Sequence, residues 1–164
     1  MRKLLAAFLV LAVLAQAAPY PPAIVHVLEQ LRTNVYHDLN HDLPLIDGRT
    51  AGYAGTPGTF YLLYPFCEYR TAQSDLLKML FDPSPAVRLM AAKVLLHSKL
   101  HASDAANADF LLGDSAKVML AVSGDAFEAT TVGEVVRRLK ADKQFLGDNS
   151  GKAADPAVRF PGQG

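Results

Sequence analysis

Apolar residues recur at helical spacing over most of the chain, and the pattern breaks in only a few places. Ile24, Leu28, Leu31 and Val35 are spaced four, three and four apart and make one apolar stripe. Glu29, Gln30, Arg32 and Thr33 fall on the other side, and Pro22 suits a first helical turn. Phe60, Leu63, Tyr64 and Cys67 form a second stripe, with Thr56 and Pro57 as its expected start and Pro65 as an expected kink or break. Thr71 to Phe81 predicts a short helix carrying Leu76, Leu77 and Leu80, stopped by Asp82-Pro83. The strongest signal runs from Pro85 to about Ser98, with Ser84 as the expected cap. Its middle is apolar except for Arg88, Lys93 and His97, so the helix must be covered on two sides.

The remaining pattern is weaker. Ser103 is the expected cap of a helix from Asp104 to Leu112, closed by Gly113. Lys117–Val122 and Ala126–Thr130 flank Ser123-Gly124-Asp125 and read as a β-hairpin. Val118, Leu120 and Val122 are expected on one face, with Phe127 and Ala129 aligned across it. Thr131 and Glu134 are spaced as a capping box before Val132, Val135, Val136 and Leu139, with Arg137, Arg138 and Lys140 at the favourable end of the dipole. Residues 37 to 58 are rich in His, Asp, Asn, Gly and Pro and read as one long loop, a length that is uncommon without a function. The expected fold class is mainly α: a helical bundle around one helical hairpin, with a small β-hairpin at 117–130, or an all-α chain if that hairpin is helical.

Residues 1 to 17 change the picture of where the protein goes. Arg2 and Lys3 precede an unbroken apolar run from Leu4 to Leu14, and Ala15-Gln16-Ala17 follows as a small-x-small cleavage pattern. This is the layout of a secretory signal peptide, and the apolar run is too short for a membrane anchor. The expected organisation is therefore a signal peptide at 1–17, one helical domain at 18–146 and a disordered tail at 147–164. The expected location is periplasmic or extracellular, with no insertion into a membrane after cleavage.

Charge and cysteine content narrow the function classes. Without the leader the chain carries 14 basic and 16 acidic side chains and no polybasic block. That argues against nucleic acid or an anionic membrane surface as partner. Cys67 is the only cysteine, so no internal disulfide can form, and its apolar neighbours make it a small hydrophobe rather than a nucleophile. A chain of this length buries roughly 70% of its unfolded surface and needs no such staple.

The stretch Leu76–Leu95 resembles a HEAT repeat, through Asp82 in the inter-helix turn, Val87-Arg88, the pair Ala91-Ala92, and Leu95. The resemblance implies a close-packed helical hairpin in which Asp82 accepts backbone donors or pairs with an Arg. There is no second copy, so it implies one HEAT-like unit and not an array. Gly52–Pro57 and the hairpin are similar to a group of secreted bacterial proteins. That similarity implies fold and export, with no activity to carry over.

Candidate chemistry is sparse. His37 and His41 are spaced i, i+4, as are His97 and His101, and such pairs begin many zinc sites, so a metal-dependent hydrolase is the alternative function. Gly52–Gly58 lacks the Lys and Ser/Thr of a phosphate loop, and no Gly-x-Ser-x-Gly elbow is present. Tyr53, Phe60, Tyr61, Tyr64, Phe66 and Tyr69 crowd into 17 residues, more than one stripe can bury. Tyr53, Tyr61 and Tyr69 are therefore the candidate binding residues, since aromatics with polar tips favour recognition surfaces. The leading expectation is a non-catalytic binding module with no cofactor, whose partner is a protein or envelope component. The sequence leaves its oligomeric state open.

Overall fold

The computed structural model describes residues 20–37, 42–51, 56–123 and 126–147. The expected leader, most of the expected tail, Tyr53 and His41 lie outside these residues. Five α-helices are described: α1 (Pro22–Thr33), α2 (Thr59–Arg70), α3 (Gln73–Met79), α4 (Pro85–His97) and α5 (Val132–Ala141). A 3-10 segment, Lys99–Gly113, follows α4. The strands are β1 (Val35–His37), β2 (Asp42–Thr50), β3 (Lys117–Ser123) and β4 (Ala126–Thr131).

The chain is mainly α, but its sheet is larger than one hairpin. Four strands lie in the order β1-β2-β3-β4. The expected hairpin is present as the antiparallel pair β3–β4. The expected loop at 37–58 instead contains β2, which runs parallel to β3 and antiparallel to β1. Pro44 and Gly48 disguise that strand, because both are depleted in sheets. Its partner β3 is more than 60 residues away along the chain, so no local pattern announces the pairing. The all-α alternative falls with it.

One cluster makes the core. α1 contributes Ile24, Val27, Leu28 and Leu31, while Val35, the last residue of the expected stripe, has left the helix for β1. Helix α2 contributes Phe60, Leu63, Tyr64 and Cys67 and runs through Pro65 without breaking. Helix α4 is buried all round, with Val87, Leu89, Met90, Val94 and Leu95 all inaccessible. Its polar residues are housed individually. Lys93 is fully buried with its Nζ 3.8 Å from the Tyr64 ring centroid, a cation–π geometry. His97 Nε2 lies 2.8 Å from the Leu139 carbonyl oxygen. From the sheet, among the described residues, Ile46, Val118 and Leu120 join this cluster.

Some expected caps are replaced by other residues. The α2 cap is not Thr56: the helix starts at Thr59, behind Gly58, and the Phe60 N–H is bonded by the Asp47 carboxylate of β2. A Cβ at Gly58 would overlap the Asp47 side chain, so the close approach requires glycine. Ser84 is the N-cap residue of α4 as expected, but its hydroxyl makes no cap hydrogen bond, and its N–H donates to Asp82 Oδ1 at 2.9 Å. Ser98, not Ser103, caps the segment after α4 by accepting from Leu100 N–H, and the segment is 3-10 rather than α. Thr131 does cap α5 by accepting from Glu134 N–H, but the Glu134 carboxylate turns to Arg137 and Arg138 and does not close the box. Leu146 is buried at φ 64° and Gly147 follows at φ 75°, so the packed chain reaches the expected start of the tail.

The sheet register corrects one expectation. Phe127 pairs with Ala121 and Ala129 with Met119, so both lie on the face opposite Val118 and Leu120. By the same alternation Tyr36, Leu43, Leu45, Met119 and Ala121 share that outer face. Tyr36 and Phe127 belong to the two edge strands, yet their ring centroids are 4.8 Å apart. The sheet therefore curls toward its outer face, as twisted sheets do.

Candidate functional site

The turn between α3 and α4 is anchored by several charged side chains. Asp82 is at its centre, with a side chain only 4% exposed. Its Oδ2 accepts from Arg32 of α1 at 2.6 Å and its Oδ1 from Ser84 N–H. Asp82 thus both pairs with an arginine and accepts from a backbone donor. Arg88 donates to the Asp82 carbonyl at 2.7 Å and to the Pro83 carbonyl at 3.0 Å, and its Nε reaches Asp114 Oδ2 at 2.8 Å. Asp114 Oδ1 in turn accepts from Ala116 N–H, just before β3. Charge-assisted bonds of this kind are the strong ones, and here they fix α1, the turn, α4 and the approach to the sheet together.

With Asp82 held inward, Phe81 is turned outward. It is 66% exposed, although the preceding Leu80 is buried. Phe110 of the 3-10 segment lies beside it, 50% exposed, with ring centroids 4.8 Å apart and planes 10° from parallel. The pair forms an aromatic platform open to water. Next to it is a hollow of about 400 Å³ lined by Tyr20, Ser74, Leu77, Lys78, Phe81, Asp82 and Pro83. Its charges are matched: Lys78 Nζ donates to Asp75 Oδ1 at 2.9 Å, and Asp82 is held by Arg32. Lys78 Nζ also stands 5.9 Å from the Tyr20 ring centroid. Burial, and then the nearby Asp82 carboxylate, raise the Tyr20 hydroxyl above its ordinary pKa, so it remains a neutral phenol at physiological pH.

Ser74 is the only aliphatic hydroxyl in the hollow, and among the described residues no histidine or carboxylate is hydrogen-bonded to it. The nucleophile–base pairing that covalent catalysis needs is therefore not assembled there. Cys67 is buried elsewhere, and burial pushes its thiol up to about 12, far from a reactive thiolate.

The residues singled out in the sequence are dispersed. Tyr69 is 67% exposed and Tyr61 half-buried, both turned away from the Phe60 stripe of α2. His37 is exposed with Nδ1 2.9 Å from Asp42 Oδ1. His97 is buried against Leu139. Ser98 ends α4 and His101 sits at a kink (φ −121°, ψ 16°), so the i, i+4 spacing of His97 and His101 does not put them on one helical face. Among the described residues no group of three His, Cys, Asp or Glu side chains is placed to hold a metal. Glu128 on the hairpin is gripped by Arg138 with two bonds of 2.6 and 2.8 Å.

The sequence reading missed Phe81, Phe110, Lys78 and Tyr20. One signal was present: Phe81 is an apolar residue placed between a completed stripe and a helix-stopping Asp-Pro, where no core remains to receive it. No protein-family model matches this chain, and no curated protein matches it.

Proposed function

We infer that this protein is an exported binding module that performs no chemistry, and that the Phe81–Phe110 platform with its adjoining hollow is its contact surface. The observation that carries the reading is that two stacked aromatic rings, each at least half exposed, stand beside a concave hollow on a turn anchored by four charged side chains. Exposed aromatics held rigidly lose little conformational entropy on binding and are the residue type enriched at binding hot spots. The absence of uncompensated charge in the hollow favours an apolar or aromatic segment of a protein or envelope component over an ionic ligand. In this reading the α3–α4 pair acts as a single HEAT-like unit whose turn presents the platform. Tyr69 is a peripheral contact at most, on a separate helix.

The experiment is site-specific photo-crosslinking in the native compartment, with benzoylphenylalanine placed at Phe81, Phe110 or, as control, the exposed Lys143. A discrete adduct from the first two positions and none from the third supports the reading. Equal labelling from all three, or none from any, overturns it. The mass of the protein recovered in the same experiment tests export: a chain beginning at Ala18 is expected, and an uncleaved chain retained in the cell would sink that part.

A further inference from the structure

The two edges of the sheet are unlike each other. The β1 edge is three residues long and ends in the His37–Asp42 pair. The β4 edge is six residues long, Ala126–Thr131, and its first four residues are exposed. Its five consecutive pairs with β3, from Phe127 to Thr131, are regular; the irregularity lies at the turn end. Such a strand points alternate N–H and C=O groups outward, and among the described residues no hydrogen bond from another element reaches them. The usual protections of an edge are missing: there is no Lys, no Pro and no bulge along it. Its one charge, Glu128, is already neutralised by the two-pronged contact with Arg138, which holds that carboxyl below its usual range.

We propose that β4 pairs antiparallel with β4 of a second copy of this chain, about a two-fold axis through Ala129, joining the two sheets into one of eight strands. Charge and size select this register. Opposite residues of an antiparallel pair share a face, so a two-fold perpendicular to the sheet must pass through a single residue position. Centred on Glu128, it would set two Glu128–Arg138 pairs against each other and crowd four long side chains at the axis, which is unfavourable. Centred on Ala129, it opposes two methyl groups, sets each Glu128 against Thr130, and sets each Phe127 against Thr131. The outer faces then run together, and the half-exposed Phe127 rings gain cover from the second copy. Pairing along one short strand buries less than the roughly 800 Å² per partner of a standard interface, so the dimer is weak and concentration-dependent. This inference does not depend on the aromatic platform.

Sedimentation equilibrium of the purified protein over about two decades of concentration tests it. The expected result is a reversible shift from monomer to dimer mass. Ala129→Lys places two like charges on the axis and is expected to remain monomeric throughout with an unchanged circular dichroism spectrum. Ala129→Cys is expected to form an intermolecular disulfide on mild oxidation, whereas Phe127→Cys is not, because its own copies lie four residues apart along the paired strands. Cys67 is buried and does not compete. A monomer at every concentration overturns the proposal. So does a dimer that survives Ala129→Lys, or equal cross-linking at 127 and 129, because these outcomes place another surface or an extended segment of a different protein on this edge.

Discussion

The two faces of the sheet are built from similar residues and meet different fates. On the inner face Ile46, Val118 and Leu120 are fully inaccessible and belong to the core cluster shared by all five helices. On the outer face Leu43, Leu45 and Met119 are only half-buried, Phe127 is 44% exposed, and none of them joins that cluster. A sheet face is normally either covered by a second layer or made polar. Here the outer face is apolar at Leu43, Leu45, Met119 and Phe127, and only its Asp47–Ala121 end is buried, where Asp47 meets the start of α2. The curl of the sheet and the Tyr36–Phe127 ring contact do part of the work that a second layer would do. Apolar composition therefore does not say which side of a strand is core; the placement of the helices does.

The largest effects should separate the faces. Leu120→Asp and Val94→Asp each put a charge where no water reaches, and each should cost about 3 kcal/mol or more, enough to threaten folding. Met119→Asp, one residue from Leu120 but half-exposed, should cost about 1 kcal/mol, because its carboxylate can reach solvent. Urea denaturation of the three variants checks this. Equal losses at 119 and 120 would mean that the outer face is as closed as the inner one.

A smaller effect tests how the sheet is joined to the helices. Asp47 is 5% exposed, accepts from Phe60 N–H at the start of α2, and accepts from Asn34 Nδ2 at 3.2 Å. Asp47→Ala removes a cap supplied from a distance and should cost about 1–2 kcal/mol. Burial raises the Asp47 carboxyl above its ordinary value, and the bonds from Asn34 and the α2 backbone only partly offset this. A carboxyl raised in the folded state binds its proton more tightly there than in the unfolded chain. Its contribution to stability is thus fully present below pH 3.8 and declines as pH rises through the folded value. The stability of the wild type relative to Asp47→Asn should therefore fall with rising pH across the carboxylate range and then level off. Denaturation curves at acid and neutral pH would reveal the opposite slope if hydrogen bonding outweighed burial.

These contrasts also mark what was legible in the sequence. Helices α1, α2, α4 and α5 were readable because each carries its own apolar period, and the β3–β4 hairpin because a short turn joins its strands. Strand β2 was not readable, since its warrant is a parallel neighbour far along the chain and its own residues include Pro44 and Gly48. The cap of α2 was misassigned for a related reason. Thr56 occupies a suitable position locally, but the carboxylate that meets the helix start, Asp47, arrives from another element. Aromatic crowding drew attention to Tyr61 and Tyr69, whereas the stacked platform joins Phe81 and Phe110 across 29 positions of sequence, a pairing that spacing alone does not encode.

The platform supplies the smallest stability effect. Phe81→Ser and Phe110→Ser together lose one ring-on-ring contact but little buried area, since both rings are at least half in water already. An exposed aromatic pair is worth on the order of 1 kcal/mol, and the serines remove apolar surface from solvent. The double variant should therefore unfold within about 1 kcal/mol of wild type while abolishing the crosslink placed at a neighbouring position such as Leu77, which lines the same hollow. A loss comparable to that of Leu120→Asp would show that Phe81 and Phe110 hold the α3–α4 turn against the 3-10 segment. The outward aromatics of the helical layer would then be core residues at its margin, much as Tyr36 and Phe127 serve the sheet.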